Sequence, residues 1–279
     1  LPALLDATIS LFDTRLPAIN RALIRHLENV QREYMWTFVE QHWGQFGEMQ
    51  NRADLAYFLA RRLAVSLSGP GMQQFLEELG APVGELASDD YTHPMQYYLM
   101  PPIRQHPPQS GDLFLGRVGD REAFWILLTP SCDLVVRIEK GEEKVKAEYV
   151  LLAFCAPLTE LPEHKNKKSR LPNPFPENLD TLPNDLKKIK SLITNNRNGG
   201  QPERHFFLPA ALELPDLVVD FQQLVTLPRE QLLADFRRVA SLDSPFAEAL
   251  LARYTRYIGR LGTPDLNAEM IFRRLFPEE

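Results

Sequence analysis

The side chains of this chain that could do chemistry lie at the edges of two apolar runs. Cys132 and Asp133 follow an apolar run that ends at Leu128, and His205 precedes a second run. Because strand ends often display functional groups, these positions are candidates for a site. A thiolate–imidazolium pair of Cys132 and His205 is one chemistry that the residue types allow. The alternatives are a corner that contacts a ligand and a structural turn in which Asp133 caps the backbone.

Positive charge is concentrated between residues 161 and 205, where nine basic and five acidic residues give a local charge of +4. The densest groups are Lys167 with Lys168 and Lys187 with Lys188. Such a cluster either binds phosphate or an acidic partner, or it is a solvated surface. Few aromatic residues are interleaved with these lysines, which weakens the case for stacking on single-stranded nucleic acid.

Two arginines complete the set of candidate binding residues. Arg121 lies in a turn before an apolar run, and Arg204 directly precedes His205. Each is either a solvated or salt-bridged arginine or a ligand for an anion. The sequence has no CxxC, no HExxH and no Cys/His cluster with zinc spacing. We therefore assign no catalytic residue, no metal ligand and no cofactor from the sequence.

Composition limits the class of protein. The chain has 279 residues, 44% of them hydrophobic, and a net charge of −6. This hydrophobic content is enough for a folded core, and an acidic balance makes nucleic acid an open but not a favoured partner. Two cysteines fit a reducing cytosol, and no apolar run approaches the roughly 18 residues of a membrane span. The predicted location is cytoplasmic.

Helical periodicity dominates residues 1–90, which we predict to be a helical region. Apolar residues recur at spacings of three and four from Ile19 to Phe38, and a second side of this segment is apolar too. Such a helix is buried between partners, either within the chain or across a homodimer interface. Further helices are predicted over 54–68 and 72–79.

A proline-rich connector is predicted over 91–110, and it leads into a β-rich domain over 111–279. The run 124–128 is apolar at every position, so a strand there needs cover on both faces. One face should carry Phe124, Ile126 and Leu128, and the other should carry Trp125 and Leu127.

A long insertion interrupts this domain over residues 159–203. Its prolines remove backbone donors and its apolar residues are widely spaced, with one short helix predicted over 185–193. We expect the insertion to be mobile and dispensable for folding. Strands are predicted again near 206–208 and 217–225, followed by a helix that begins after Ser244.

Two short stretches, Gly111-Asp112 and Ile126-Leu-Leu-Thr-Pro130, belong to a series of β-type runs that a helix closes. This order resembles MazF/PemK-type toxins over residues 111–262. The resemblance implies an α+β fold, with a helical N-terminal region, a partly closed SH3-like β-barrel and a C-terminal helix. Those toxins cut RNA with an arginine before the second strand and a threonine that ends the third. Arg121 lies two residues from the position of the toxins' catalytic arginine, and the position of their threonine falls near Cys155.

A second resemblance rests on Arg32-Glu-Tyr-Met-Trp36, Pro130-Ser-Cys-Asp-Leu134 and Arg204-His-Phe-Phe-Leu-Pro209. These stretches resemble the region after the receiver in bacterial "response receiver domain" proteins, which are associated with signalling and antiphage-defence operons. The resemblance implies a protein partner, such as a signalling kinase or ATPase from the same operon. The chain has no doubly wound βα series, so we expect a receiver to lie upstream of Leu1.

Two hypotheses about function stay open. The first is a non-enzymatic regulatory or adaptor module of a signalling or defence system that binds a protein partner. The second is a metal-independent endoribonuclease that binds RNA through Arg121, Arg204 and the basic insertion. Such a nuclease also needs a proton acceptor near the ribose 2′-hydroxyl, which the sequence does not reveal. Convergence of Arg121, Cys132, Asp133, Arg204 and His205 on one concave face would favour chemistry.

Overall fold

The computed structural model describes residues 20–21, 23–29, 32, 37, 40–46, 52–66, 92–102, 106–139, 142–176, 178–195, 203–260 and 266–276. The chain divides into two compact units, residues 1–93 and residues 94–279.

Where the structure describes the first unit, its main helical segments are residues 20–21 and 23–29, α1 (Glu40–Phe46) and α2 (Arg52–Ser66). The helix predicted over 54–68 is therefore confirmed, with its limits shifted by two residues. Nε2 of the buried His26 lies 2.9 Å from Oγ of Ser66, which ties the first helix to the end of α2. The helix predicted over 72–79 lies outside the described residues.

The second unit combines strands with helices, which confirms the predicted α+β class. Its strands are β1 (Tyr98–Leu99), β2 (Asp112–Val118), β3 (Arg121–Leu127), β4 (Arg137–Glu139), β5 (Glu142–Lys144), β6 (Tyr149–Pro157), β7 (His205–Leu208), β8 (Leu217–Pro228) and β9 (Arg237–Leu242). Its helices are α3 (Ser131–Leu134), α4 (Pro162–Lys165), α5 (Asn184–Ile193), α6 (Arg229–Asp235), α7 (Phe246–Ile258) and α8 (Ala268–Leu275).

Seven strands form one antiparallel sheet in the order β1-β9-β2-β3-β6-β8-β7, and β4 pairs with β5 in a separate hairpin. The sheet has two edges, β1 and β7, so it is not closed into a barrel. The expected partly closed barrel is therefore corrected to an open sheet. One edge strand, β1, has only two residues, and at the other edge Asn195 of the insertion binds the backbone of Phe207 in β7.

The central strand β3 has two covered faces, as its sequence predicted. The three residues predicted for one face pack in a core that α7 closes with Leu250. The two residues predicted for the other face pack in a second core that α6 closes with Leu232. Removal of apolar area from water on both sides stabilises the strand by about 25 cal/mol per Å². Trp125 and Leu127 thus lie on the side of the sheet that α6 covers, and Phe124, Ile126 and Leu128 lie on the side that α7 covers.

Strand β9 was not predicted, and it anchors the proline-rich segment that precedes β2. Asp112 is fully buried and accepts hydrogen bonds from Ser241 Oγ at 2.6 Å and Arg238 Nη1 at 2.9 Å. Arg238 also donates to the backbone carbonyl of His106 at 2.9 Å. Residues 94–110 thus belong to the sheet unit, whereas the sequence suggested a separate connector.

The described part of the insertion 159–203 packs against the edge of the sheet through Leu192 and Asn195. The helix predicted within it is confirmed as α5. Leu192 of α5 is buried against Val218 of β8. The Asn195 amide donates to the Phe207 carbonyl and accepts from the Phe207 N–H, each at 2.8 Å, as a neighbouring strand would. These contacts argue against the expectation that the insertion is dispensable for folding, because its loss would uncover β7.

Candidate functional site

A cleft of about 550 Å³ lies between α4, α5 and the first residue of β7. Its polar walls are formed by Glu163, Asn166, Asp185, Lys187, Lys188, Ser191 and His205. Three of the nine residues predicted to bind a ligand or partner therefore share one cleft. Lys187 and Lys188 are neighbours in α5, and His205 is the first residue of β7, so the packing of the insertion on the sheet brings the helix and the strand together.

The pattern of α5 explains why it presents lysines to this cleft. Leu186 and Leu192 are buried, while Lys187, Lys188 and Ser191 line the cleft. Residues three and four apart share one face of a helix, so Ser191 lies near both lysines along the same side. The sequence of α5 thus fixes an apolar side against the sheet and a basic side in the cleft.

Asp185, in the first turn of α5, fixes the helix to the segment that follows α4. Its carboxylate accepts the backbone N–H groups of Lys168 and Ser169, each at 2.8 Å. These hydrogen bonds hold the pKa of Asp185 well below its usual range. Nζ of Lys167 lies 3.3 Å from Nε2 of His164. The predicted pair Lys167 and Lys168 therefore supports the cleft from outside its walls.

Asp220 of β8 fixes the point where β7 begins. Arg204 binds this carboxylate through Nε at 2.6 Å and Nη2 at 2.5 Å, and Gln223 Nε2 donates to it at 2.7 Å. A bulge in β8 lies beside Asp220, because the pairing of β6 with β8 skips residues 221–223, and it lets Gln223 reach the Asp220 carboxylate. Burial raises the pKa of Asp220, but these hydrogen bonds outweigh burial and lower it to about 2. The charge of Arg204 is therefore already matched.

His205 is the cross-strand partner of Asp220 and is half-buried in the cleft wall. Within the part of the chain that the structure describes, its buried Nδ1 has no hydrogen-bond partner. Burial lowers the pKa of His205, the Arg204 charge adds to this, and the charges of Asp220 and Glu163 oppose it. The imidazole is therefore neutral at pH 7 and presents an N–H or a lone pair at Nδ1, according to its tautomer.

Lys187 and Lys188 carry the unmatched charge of the cleft. Neither side chain has an acidic partner among the residues that the structure describes. Lys190 of the same helix does have one, because its Nζ lies 2.6 Å from Asp180. Glu163 of α4 is a carboxylate in the same cleft wall. The cleft thus holds two unpaired ammonium groups, a neutral imidazole and two carboxylates, of which Asp185 is bound by backbone N–H groups.

The corner after β3 contains Cys132 and Asp133, and its polar groups are matched locally. Lys146 Nζ lies 2.7 Å from the Asp133 carboxylate, and this hydrogen bond lowers the pKa of Asp133. Arg137 Nη2 donates to the Cys132 carbonyl at 3.1 Å. The corner is therefore a turn closed by its own side chains, which agrees with the structural alternative for Asp133.

Cys132 and His205 do not form the pair considered from sequence. His205 pairs with Asp220, Asp220 with Phe154, and Phe154 with Trp125, so these residues form one row across the sheet from β7 to β3. Three strand spacings separate His205 from Trp125, roughly 14 Å. Cys132 lies farther along, beyond the end of β3.

Arg121 is separated from the corner by the length of β3, and its side chain lies on Phe154, the cross-strand partner of Asp220. Arg121 is the first residue of β3, and its guanidinium carbon is 3.8 Å from the centroid of the Phe154 ring, which is a cation–π contact. Cys132 follows the opposite end of β3, which is roughly 20 Å from Arg121 because a strand rises about 3.3 Å per residue. The five residues whose convergence would favour chemistry therefore do not meet on one concave face.

Four polar cleft residues were not singled out as site residues from sequence: Glu163, Asn166, Asp185 and Ser191. The signal for Ser191 is its spacing from Lys187 and Lys188 on a helix with one apolar side. Glu163 and Asn166 carry no comparable local signal, because they enter the site only through the packing of α4 against α5.

Comparisons of the chain with protein-family models and with curated proteins find no match. Among the described residues, no group of three or more His, Cys, Asp or Glu side chains could hold a metal ion. No helix in the described ranges has the length and apolar character needed to cross a membrane.

Proposed function

We propose that this chain is a non-enzymatic regulatory or adaptor module that binds a protein partner, with the cleft between α4 and α5 receiving a negatively charged segment of that partner. The observation that carries the proposal is the unmatched charge of Lys187 and Lys188 beside a buried, unpaired nitrogen of His205. Polar atoms withdrawn from water are normally paired, so the buried Nδ1 of His205 marks an unmet contact. Lys187 is half-buried and Lys188 is exposed, so their charge is available to a ligand.

The surroundings of the cleft support binding over turnover. Asp185, Asp220 and Asn195 are each fully engaged in hydrogen bonds that hold α5 and β7 in place. A preorganised site loses less entropy when it binds its partner. The wall groups are donors and two carboxylates, one of which, Asp185, is already bound by backbone N–H groups, and this arrangement can recognise an anion without a covalent step.

The biological setting is part of the same proposal. The resemblance to response receiver proteins supports a role in bacterial signalling or antiphage defence, with a kinase or ATPase of the same operon as partner. A homodimer through the N-terminal helices is a second proposed contact, supported by the exposed apolar side chains of Ile24, Tyr57 and Phe58. Its test is the molecular mass in solution, where a monomer at all concentrations would remove it.

The test of partner binding uses the full chain and each protein encoded beside it. We expect one such protein to co-purify with the wild type and to be lost with Lys187→Gln/Lys188→Gln. The matched control is Lys165→Gln/Arg170→Gln, which removes the same charge from the same insertion outside the cleft walls. Equal loss in both double variants would mean that general charge, and not the cleft, attracts the partner.

A toxin-type endoribonuclease is the second candidate function, and it retains the proposed kinship with the MazF/PemK-like SH3 barrel. One observation favours it: the neutral His205 beside two lysines supplies the proton acceptor that the sequence did not reveal. Against it, Arg121 and Arg204 are engaged with Phe154 and Asp220.

An RNA assay separates the two candidates. We expect purified protein to leave single-stranded RNA intact relative to buffer. Cleavage that disappears in His205→Leu and in Arg121→Ala would reverse the ranking.

A further inference from the structure

We infer that the group bound between α4 and α5 is a phosphate carried by a side chain of the partner protein. This inference rests on the proposed function and specifies its ligand. Five donor side chains from three segments line the cleft: Asn166, Lys187, Lys188, Ser191 and His205. They differ in chemistry, but each borders the cleft and has an N–H or O–H donor in at least one of its forms.

The number of donors favours phosphate over carboxylate. A phosphate ester has three terminal oxygens and a charge near −2 at pH 7, whereas a carboxylate has two oxygens and one charge. Two unmatched ammonium groups balance the phosphate charge, and the neutral donors of Asn166, Ser191 and His205 remain for its oxygens. A single carboxylate would leave most of these donors unpaired, which costs free energy in a half-buried site.

The carboxylates near the cleft fit the same inference. Asp185 accepts two backbone N–H groups, so its charge is already stabilised within the wall. Glu163 has no such partner among the described residues, and its charge opposes any anion in the cleft. Removal of the Glu163 charge should therefore strengthen anion binding, a direction opposite to that of the lysine variants.

A side-chain phosphate fits better than a nucleic-acid strand. Single-stranded RNA is held by aromatic platforms along an extended basic groove, and His205 is the one aromatic ring among the wall residues that the structure describes. A cleft of about 550 Å³ has room for one compact charged group and its attachment, not for several nucleotides in sequence.

The probe for this inference is O-phospho-L-serine, titrated into the full chain and followed by calorimetry and by NMR of the histidine rings. Serine and aspartate are the matched probes without phosphate. We expect phosphoserine to bind at least about tenfold more tightly than aspartate, because each added charge-assisted hydrogen bond is worth about a factor of ten. The His205 ring resonances should move with phosphoserine.

Variants assign that binding to the cleft. Lys187→Gln/Lys188→Gln should weaken phosphoserine binding by about tenfold or more, while Lys165→Gln/Arg170→Gln should change it by less than about twofold. Glu163→Gln should strengthen it by about twofold to fivefold. His205→Asn keeps a donor near the Nδ1 position and should retain binding, whereas His205→Leu should lose it. Circular dichroism of each variant checks that it is folded.

The outcomes separate this inference from the proposed function. Equal binding of aspartate and phosphoserine overturns the phosphate assignment, and partner binding that still depends on Lys187 and Lys188 would leave the adaptor function standing. Phosphoserine binding that is insensitive to the lysine variants, or that is weakened by Glu163→Gln, also overturns it. Tighter binding of a single-stranded RNA oligonucleotide than of phosphoserine would replace a protein phosphate with nucleic acid. Phosphoserine binding without any protein partner would keep a phosphate site in the cleft but overturn its assignment to a partner side chain, and it would count against the adaptor function.

Discussion

The corner that contains Cys132 and Asp133 and the cleft that contains His205 look alike in sequence and differ in the fold. Both place polar residues beside an apolar strand, and both have lysines within reach. In the corner, the carboxylate of Asp133 is matched by Lys146 at 2.7 Å. In the cleft, the Nδ1 of His205 is left without a partner by the described residues. Residue type identified both places, and only the state of pairing distinguishes a closed turn from a site that can accept a ligand.

Pairing decides function because an unpaired buried polar group keeps a free-energy cost that a ligand can remove. A turn that satisfies its own groups has nothing left to offer a partner except its surface. The following predictions test whether the cleft, unlike the corner, is both built into the fold and open to a ligand.

The largest effect is expected at the wall of the cleft. Leu192 is 3% exposed and packs against Val218, so Leu192→Ala should lower the free energy of unfolding by about 2–5 kcal/mol. Urea denaturation gives this value. Leu171→Ala is the control in the same insertion, because Leu171 is 67% exposed and its loss should leave the urea midpoint unchanged. Equal stability of the two variants would mean that α5 does not belong to the core.

The second effect compares the two carboxylates directly. Asp220→Ala leaves Arg204 without its partner and should cost about 1–3 kcal/mol, a range reduced because the Arg204 side chain is partly exposed. Asp133→Ala should leave the urea midpoint unchanged, because its pair with Lys146 is in solvent. The Asp220 contribution is present above the ordinary pKa near 3.8 and is lost as pH falls toward 2. A larger loss for Asp133 than for Asp220 would reverse the comparison.

A smaller effect concerns the pH dependence of stability through His205. Burial holds its pKa in the folded chain below the ordinary value of 6.5. Between these two pKa values the unfolded chain binds more protons, so stability is fully present above pH 6.5 and falls as pH is lowered through the folded pKa. His205→Asn should remove this part of the pH dependence. The measurement is the urea midpoint of both proteins between pH 5 and 8, and parallel curves would contradict the buried neutral imidazole.

Much of the sheet could be predicted because its strands follow local rules. The apolar run of β3 predicted two covered faces, and the helical spacing around Leu186 predicted α5. Strand β9 was missed because Arg237 and Arg238 interrupt its apolar pattern, and Arg238 is placed there to pair with Asp112 across the sheet. That partnership joins residues that are far apart in sequence, so no local pattern reveals it.

The site could be predicted only in part for the same reason. Lys187, Lys188 and His205 have suitable residue types, and their types drew attention to them. Glu163 and Asn166 become wall residues through the packing of α4 on α5, and the pairing of Arg204 with Asp220 depends on a bulge in β8. The open sheet was also beyond the sequence pattern, because closure depends on what lies at the edges, β1 and β7.

The smallest effect is expected at the corner. Cys132 is exposed, whereas Cys155 is fully buried in the core and burial raises the pKa of its thiol. Iodoacetamide should therefore modify one cysteine in the folded chain and both in urea, with peptide mass spectrometry placing the first modification at Cys132. The modified chain should bind phosphoserine and the partner protein as the untreated chain does. The reason is distance, because β6 and β8 separate β3, which leads to the corner, from β7, which begins in the cleft. Cys132→Ser should behave in the same way. Loss of binding after alkylation of the wild type, together with resistance of Cys132→Ser, would show that the corner contributes to the binding surface after all.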